Sequence, residues 1–190
     1  MFANPHAATL LAEVHQGAPL EHWLDQLQDG TDVLIRALCT DDLVPLTTFF
    51  EHLSPLSIRF RFLGAVAPVN EHTLSAWLST PAHKAGGYVA LIHHFGEFQV
   101  IGISRYTRSD DGDSCECTVA VADAWQRKGL GALLMSHLVD AARRSGFRRM
   151  TSTNLPTDYP IHRLYKRLGF ASVHQDTGTD RLVHSLELAR

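Results

Sequence analysis

The sequence predicts an α+β fold built on one mixed, mostly antiparallel sheet of six to seven strands with helices against it. Three observations predict it. Strand-like segments at Tyr88 to His93, Val100 to Tyr106 and Cys115 to Val121 follow one another across short polar turns, the pattern of an antiparallel meander. Downstream, strand and helix alternate around one strongly amphipathic helix, which calls for a local parallel pairing because parallel neighbours need a crossover. At 190 residues the chain has room for one compact core plus an appended segment.

Each element has its own local reason. Residues 1–30 read as an N-terminal extension: His6 to His15 and Leu20 to Leu27 carry helix-compatible apolar spacing, broken at Gly17-Ala18-Pro19. Residues 31–190 then form the main domain. Asp32 to Arg36 is a strand, and Thr40-Asp41-Asp42 supplies the N-cap of a helix whose apolar positions are Leu43, Leu46 and Phe49-Phe50. A second helix spans Ser57 to Gly64 after the break at Leu53-Ser54-Pro55, and a third runs Asn70 to Leu78 with Asn70 as cap. The meander's turns are Gly96-Glu97 and Ser109 to Asp113. From Gly129 to Ser145, Leu130, Leu133, Leu134, Leu138, Ala141 and Ala142 recur at helical spacing, and Gly146 sits where a left-handed C-cap belongs. Arg148 to Asn154 is a strand, Pro160 to Leu168 a short helix stopped by Gly169, and Phe170 to His174 and Arg181 to Leu188 are two last strands around the turn-rich stretch 175–180.

Composition narrows the function. With 20 acidic and 17 basic residues the formal net charge is −3, and the pI near 6.4 gives none of the cationic footprint that phosphate-driven nucleic-acid binding needs. No apolar run approaches the ~20 residues of a membrane span, and Met1 to Gly17 lacks the cationic start and apolar middle of a secretory signal, so the chain reads as cytoplasmic. Cys39, Cys115 and Cys117 are too few for a disulfide framework and lack zinc-site spacing, and the twelve histidines are scattered, so no metal is expected.

The informative segment is Val119 to Ala132, a glycine-containing loop between a strand and the start of the amphipathic helix. A helix start offers unpaired N–H groups and the positive end of the backbone dipole, which together attract an anion. Arg127 and Lys128 add charge, and Gly129 and Gly131 let backbone come close to a ligand. A phosphate or pyrophosphate is the natural occupant. A nucleotide P-loop is disfavoured because Gly131 is followed by Ala132-Leu133 rather than Lys-Ser/Thr, and a dinucleotide fingerprint because Leu134 stands where its third Gly or Ala belongs.

Gln126-Arg127-Lys128-Gly129-Leu130-Gly131 resembles the Gln/Arg-x-x-Gly-x-Gly/Ala loop of the GNAT N-acetyltransferase superfamily, and Tyr165-Lys166-Arg167-Leu168-Gly169-Phe170 resembles its Tyr-x-x-x-Gly-Phe signature. The element order from about Asp32 to Leu188 is similar to that fold. More narrowly, Leu53-Ser54-Pro55 with Arg59 to Phe62, and Cys115-Glu116-Cys117 leading to Asp123 to Gln126, resemble the GNAT domain of bacterial protein lysine acetyltransferases.

The resemblance implies acetyl-CoA as co-substrate, its diphosphate on the loop from Gln126 through Ala132 and its pantetheine arm along Val119 and Val121. A splay between the strands Cys115 to Val121 and Arg148 to Asn154 would free backbone groups for that arm. It also implies Glu116 as the base that deprotonates the amine, with partial burial raising its pKa, and Tyr165 as the acid that protonates the departing thiolate. Where the family has an Asn near the start of the last helix this chain has Asp158; either Asn154 takes the cofactor contact or Asp158 is a helix cap. Arg59, Arg61 and Phe62 lie in the second helical region, where the family builds its acceptor cleft, and His93 and His94 close the second candidate strand; acceptor contact is open to each, though a single His reads first as a partly exposed side chain bonded to backbone. Trp125 reads as a packing anchor, and Cys115 and Cys117 as core thiols. The acceptor is an amine, protein lysine first and a small molecule second; a non-catalytic acyl-CoA sensor is the alternative class, and a homodimer stays open.

Overall fold

The computed structural model describes residues 21–64, 69–174 and 181–188. Its centre is an eight-stranded sheet: β1 (His22–Gln26), β2 (Asp32–Ala37), β3 (Ala85–His94), β4 (Glu97–Arg108), β5 (Ser114–Val121), β6 (Arg149–Asn154), β7 (Ala171–His174) and β8 (Leu182–Glu187). The spatial order is β1-β2-β3-β4-β5-β6-β8-β7. Every neighbouring pair is antiparallel except β5 and β6. This is the mixed α+β architecture the sequence predicts, with one strand more than expected.

The additional strand is β1, within the stretch whose spacing suggested a helix. Five residues are too short for apolar period to separate helix from strand. Pairing decides it: Trp23 opposes Ile35 and Leu24 opposes Leu34, so β1 closes the free edge of β2. Trp23 then stacks on His137 and meets Tyr88 edge to face. The stretch His6 to His15 and the turn at 175–180 lie outside the described residues.

Among the described residues five helices lie on the two faces: α1 (Leu43–Glu51), α2 (Pro55–Arg61), α3 (Glu71–Leu78), α4 (Leu130–Arg144) and α5 (Tyr159–Arg167). Against one face, Leu46, Phe49 and Phe50 of α1 and Leu74 of α3 pack on Leu34, Val89, Leu91 and Ile103. Against the other, Leu134, Met135 and Leu138 of α4 and Tyr165 of α5 pack on Val33, Ile101, Cys115, Cys117 and Met150. Ser54 and Asn70 cap α2 and α3 by accepting from the amides of Ser57 and Thr73. Gly146 and Gly169 follow α4 and α5 at φ +80 and +86, the left-handed stop that glycine adopts without strain.

Asp42 departs from its expected role. Its carboxylate does not cap α1; it accepts from the amide of Cys39 and holds Arg36 through two bonds of 2.8 and 2.6 Å. Both side chains are buried. Burial works against the Arg36 charge, but the bonds to Asp42 outweigh it and raise its pKa.

Candidate active site

The strands β5 and β6 run together only at Ser114 to Glu116, opposite Arg149 to Thr151. Beyond Glu116, β5 is bonded to β4 alone while β6 continues against β8. The register tells which groups this splay releases. Bonds from Ala122 N–H to Ile101 O and from Ser109 N–H to Ser114 O mark the bonded pairs of the β4–β5 ladder. In an antiparallel ladder bonded and non-bonded pairs alternate, so Val119 opposite Ser104 and Val121 opposite Gly102 are non-bonded pairs. Their N–H and C=O groups point into the gap. Their side chains pack toward the α4 face of the core.

Past Val121, a short 3-10 turn at Asp123–Trp125 leads into the loop. Gly129 takes φ +94 and ψ −10, which an L side chain adopts only with strain, and α4 begins at the next residue. The amides of Ala132 and Leu133 bond back to Gly129 O. Those of Gly129, Leu130 and Gly131 have no acceptor among the described residues, and they sit at the positive end of a fifteen-residue helix. A Cβ on Gly131 would stand 3.3 Å from Leu164 Cδ2, so that glycine also lets α5 close on the loop.

Two braces hold the loop in place. From the β1–β2 turn, Gln28 N–H donates to Lys128 O, and Asp29 pairs with Lys128 Nζ at 2.9 Å. The Lys128 bond, with bonds from Thr31, takes the Asp29 carboxyl down to about 2. Lys128 also lies 4.7 Å from the centroid of the Trp125 ring. On the opposite side, Asp123 accepts from Ser54 N–H, Ser54 Oγ and Ser57 Oγ at 2.9, 2.7 and 2.8 Å. Desolvation acts to raise the Asp123 pKa, and these bonds overcome it and lower it. Gln126 Nε2 donates to Ser57 Oγ and to Val121 O. The start of α2 is thereby clasped to the end of β5.

The implied site residues fall into distinct settings. Glu116 stands at the last paired position of the splay, and it is exposed rather than partly buried because its side chain lies on the open side of a strand whose next buried residue is Cys117. Tyr165 is fully buried. Its hydroxyl donates to Ser152 Oγ at 2.9 Å and lies 4.0 Å from Cys117 Sγ. Burial, with Cys117 adding, raises its pKa well above the ordinary phenol value, which keeps it protonated. Asp158 is buried and accepts from Ile161 N–H at 3.3 Å, so it caps α5; desolvation raises its pKa. Asn154 accepts from Ser152 Oγ, at the gap end of β6. Arg127, at φ +64, is exposed and has no charged partner among the described residues.

His93 and His94 are not brought to this place. They pair with Phe98 and Glu97 at the β3–β4 hairpin, while Glu116 pairs with Thr107 nine residues along β4, a distance of about 30 Å at the strand rise. Cys115 and Cys117 are fully buried, and desolvation pushes both thiols up, Cys115 to about 12. They are core thiols. The braces from Gln28, Asp29, Ser54 and Ser57 carried no local signal, because each depends on a contact across the fold.

An open strand edge that ends at a helix whose first amides are unpaired is a frame for an acyl carrier with an amide-bearing arm and a diphosphate. The chain belongs to the acetyltransferase (GNAT) family, whose profile matches residues 55–170. It is 37% identical over 168 residues to an acetyltransferase of Pseudomonas aeruginosa, covering 88% of this chain and 90% of that one. Its fold is similar to the GNAT domain of S. lividans PAT, with a TM-score of 0.77 at 23% identity over 90% of this chain and 100% of that one. It is also similar to yncA from Salmonella typhimurium, whose structure contains its cofactor acetyl-CoA, with a TM-score of 0.66 at 23% identity over 84% and 96% of the two chains. Among the described residues no helix is long and apolar enough to cross a membrane.

Proposed function

We propose that this acetyltransferase moves the acetyl group of acetyl-CoA to an amine by direct attack, with Glu116 as base and Tyr165 as acid. The carrying observation is the continuity of the β5 edge with the unpaired amides of Gly129, Leu130 and Gly131. In this reading those amides take the diphosphate, with Gln126, Arg127, Lys128 and Ala132 shaping the loop, and the N–H and C=O groups of Val119 and Val121 take the pantetheine amides. Two details bear on the fit. Lys128 is already paired with Asp29, so its charge toward a diphosphate is partly cancelled. The Gln126 amide already donates to Val121 O, so an arm amide bonding there takes that oxygen's second lone pair or displaces Gln126.

The acceptor ammonium loses a first proton to solvent by way of the Glu116 carboxylate, the freed lone pair forms the new C–N bond at the thioester carbon, and a second nitrogen proton passes to that carboxylate as the amide forms. The C–S bond breaks with its electron pair on sulfur, the Tyr165 phenol supplies a proton to that sulfur, and the phenolate regains one from solvent while Glu116 releases the proton it took. For this the Tyr165 O–H must turn from Ser152 toward the gap, a rotation about one C–O bond. Protein lysine is the favoured acceptor on the likeness of Leu53 to Phe62 and Glu116 to the lysine acetyltransferase branch. A small-molecule amine is the second reading.

A thiol-release assay with acetyl-CoA and a panel of lysine peptides and small amines tests this. Acetyl-CoA-dependent release that rises with at least one amine is the expected result; tight CoA binding with no transfer to any amine points instead to an acyl-CoA sensor.

A further inference from the structure

We propose that Arg61 and Arg105 hold a carboxylate that the acceptor carries beside its reacting amine. This deepens the reading above and rests on it. Arg61 closes α2, and its guanidinium carbon lies 5.0 Å from the Phe62 ring centroid and 5.2 Å from that of Trp77. The Arg105 guanidinium, reaching from β4, lies 5.6 Å from the same Trp77 ring. Two cations therefore share one indole on the sheet face opposite α4. Arg105 donates to two neutral hydroxyls, Thr107 Oγ1 and Thr80 Oγ1. Arg61 makes no hydrogen bond with its side chain to any described residue, and its Nε is sealed from solvent without an acceptor.

For a half-buried guanidinium this is an unusual state, since a partly desolvated charge ordinarily finds a counter-ion. The same chain shows the ordinary solution elsewhere, where Arg36 is matched by both oxygens of Asp42. Glu116 acts on Arg61 through space, but no salt bridge joins either arginine to an acid among the described residues. Burial, aided by the neighbouring charge of Arg105 and opposed by Tyr165 and Glu116, brings Arg61 down to about 10. On the sheet, Arg105 opposes Thr118, two residues along β5 from Glu116 and so on the same face. A planar carboxylate meets forks of N–H donors with the geometry guanidinium favours, and it would offset the repulsion between the arginines. The arrangement selects an amine whose carboxylate is close by: the α-carboxylate of a free amino acid, or an acidic side chain next to a peptide lysine.

The test uses the full chain with acetyl-CoA and paired acceptors. Amino acids are offered as free acids and as carboxamides, and lysine peptides with Glu or with Gln at the flanking positions. The expected result is a kcat/KM at least tenfold higher for the acid of one pair, carried by KM; which pair shows it identifies the source of the carboxylate. In Arg61→Met and Arg105→Gln the ratio should fall toward one with CoA affinity retained, and Arg61→Lys, which keeps the charge without the fork, should fall between. Equal use of acid and amide across both sets overturns the proposal while leaving amine acetylation intact. Should no acceptor turn over, amine acetylation fails instead, and calorimetric titration of the same pairs into the CoA-loaded chain still decides: preference for the acid that disappears in the variants supports the carboxylate site, and no preference overturns it.

Discussion

Gly129→Ala bears most sharply on how the loop works. Gly129 sits at φ +94 and ψ −10, and a Cβ there would lie 3.3 Å from Gln28 Cγ. The contact is with a flexible side chain and yields by a few tenths of an ångström. The backbone conformation does not yield so readily, since an L residue in the left-handed region costs about 1–2 kcal/mol. If the free loop relaxes to escape that cost, binding a diphosphate must restore it, and CoA affinity should fall by roughly 5- to 30-fold. Gly112→Ala is the control: φ is +73, nothing lies within 4 Å of its Cβ, and the turn joins β4 to β5 away from the loop. Gly112→Ala, which keeps its strained turn, should lose about 2–8 °C in Tm; Gly129→Ala, whose loop relaxes, should lose less stability and should alone lose affinity. Calorimetry with CoA reads this directly. Equal affinity in the two variants would refute the idea that the loop's left-handed turn presents the ligand-binding amides.

Other consequences are open to measurement. Glu116→Gln should lower kcat by about a hundredfold if the carboxylate is the base; full activity from pH 6 to 9 would remove it from that role. Tyr165→Phe should depress kcat while CoA affinity holds, and losing the bond to Ser152 should cost about 1 kcal/mol of stability; weaker CoA binding with normal turnover would argue against an acid role. His184 is fully buried, bonded to His162 and Ser172, and held down to about 4, mainly by desolvation. Folding keeps it neutral while the unfolded chain binds a proton near pH 6.5, so its contribution is present above about pH 6.5 and is lost as pH falls toward 4, by up to about 3 kcal/mol. Thermal melts of the parent and His184→Asn should therefore converge on acidification; an equally steep acid loss in both would contradict this.

What the sequence shows on its own follows from the range of each interaction. The helix at Leu130–Arg144 and its glycine stop were legible because apolar period and a left-handed cap are local. The meander was legible because its turns are short and polar. β1 was not, because five residues with one tryptophan become a strand only by meeting the edge of β2. The burial of Tyr165 and the exposure of Glu116 depend on which face each strand and helix turns to the core, which spacing alone leaves open. Asp42 shows the same limit: its position reads as a cap, and a buried arginine six residues earlier claims it.

The most direct measurement compares CoA with pantetheine, which lacks the diphosphate, by calorimetric titration of the unmodified chain. Charge-assisted bonds from backbone amides contribute about 1.5–3 kcal/mol each, so two of them at the start of α4 predict that pantetheine binds at least about a hundredfold more weakly. Equal affinities, or no heat with CoA, would contradict the account.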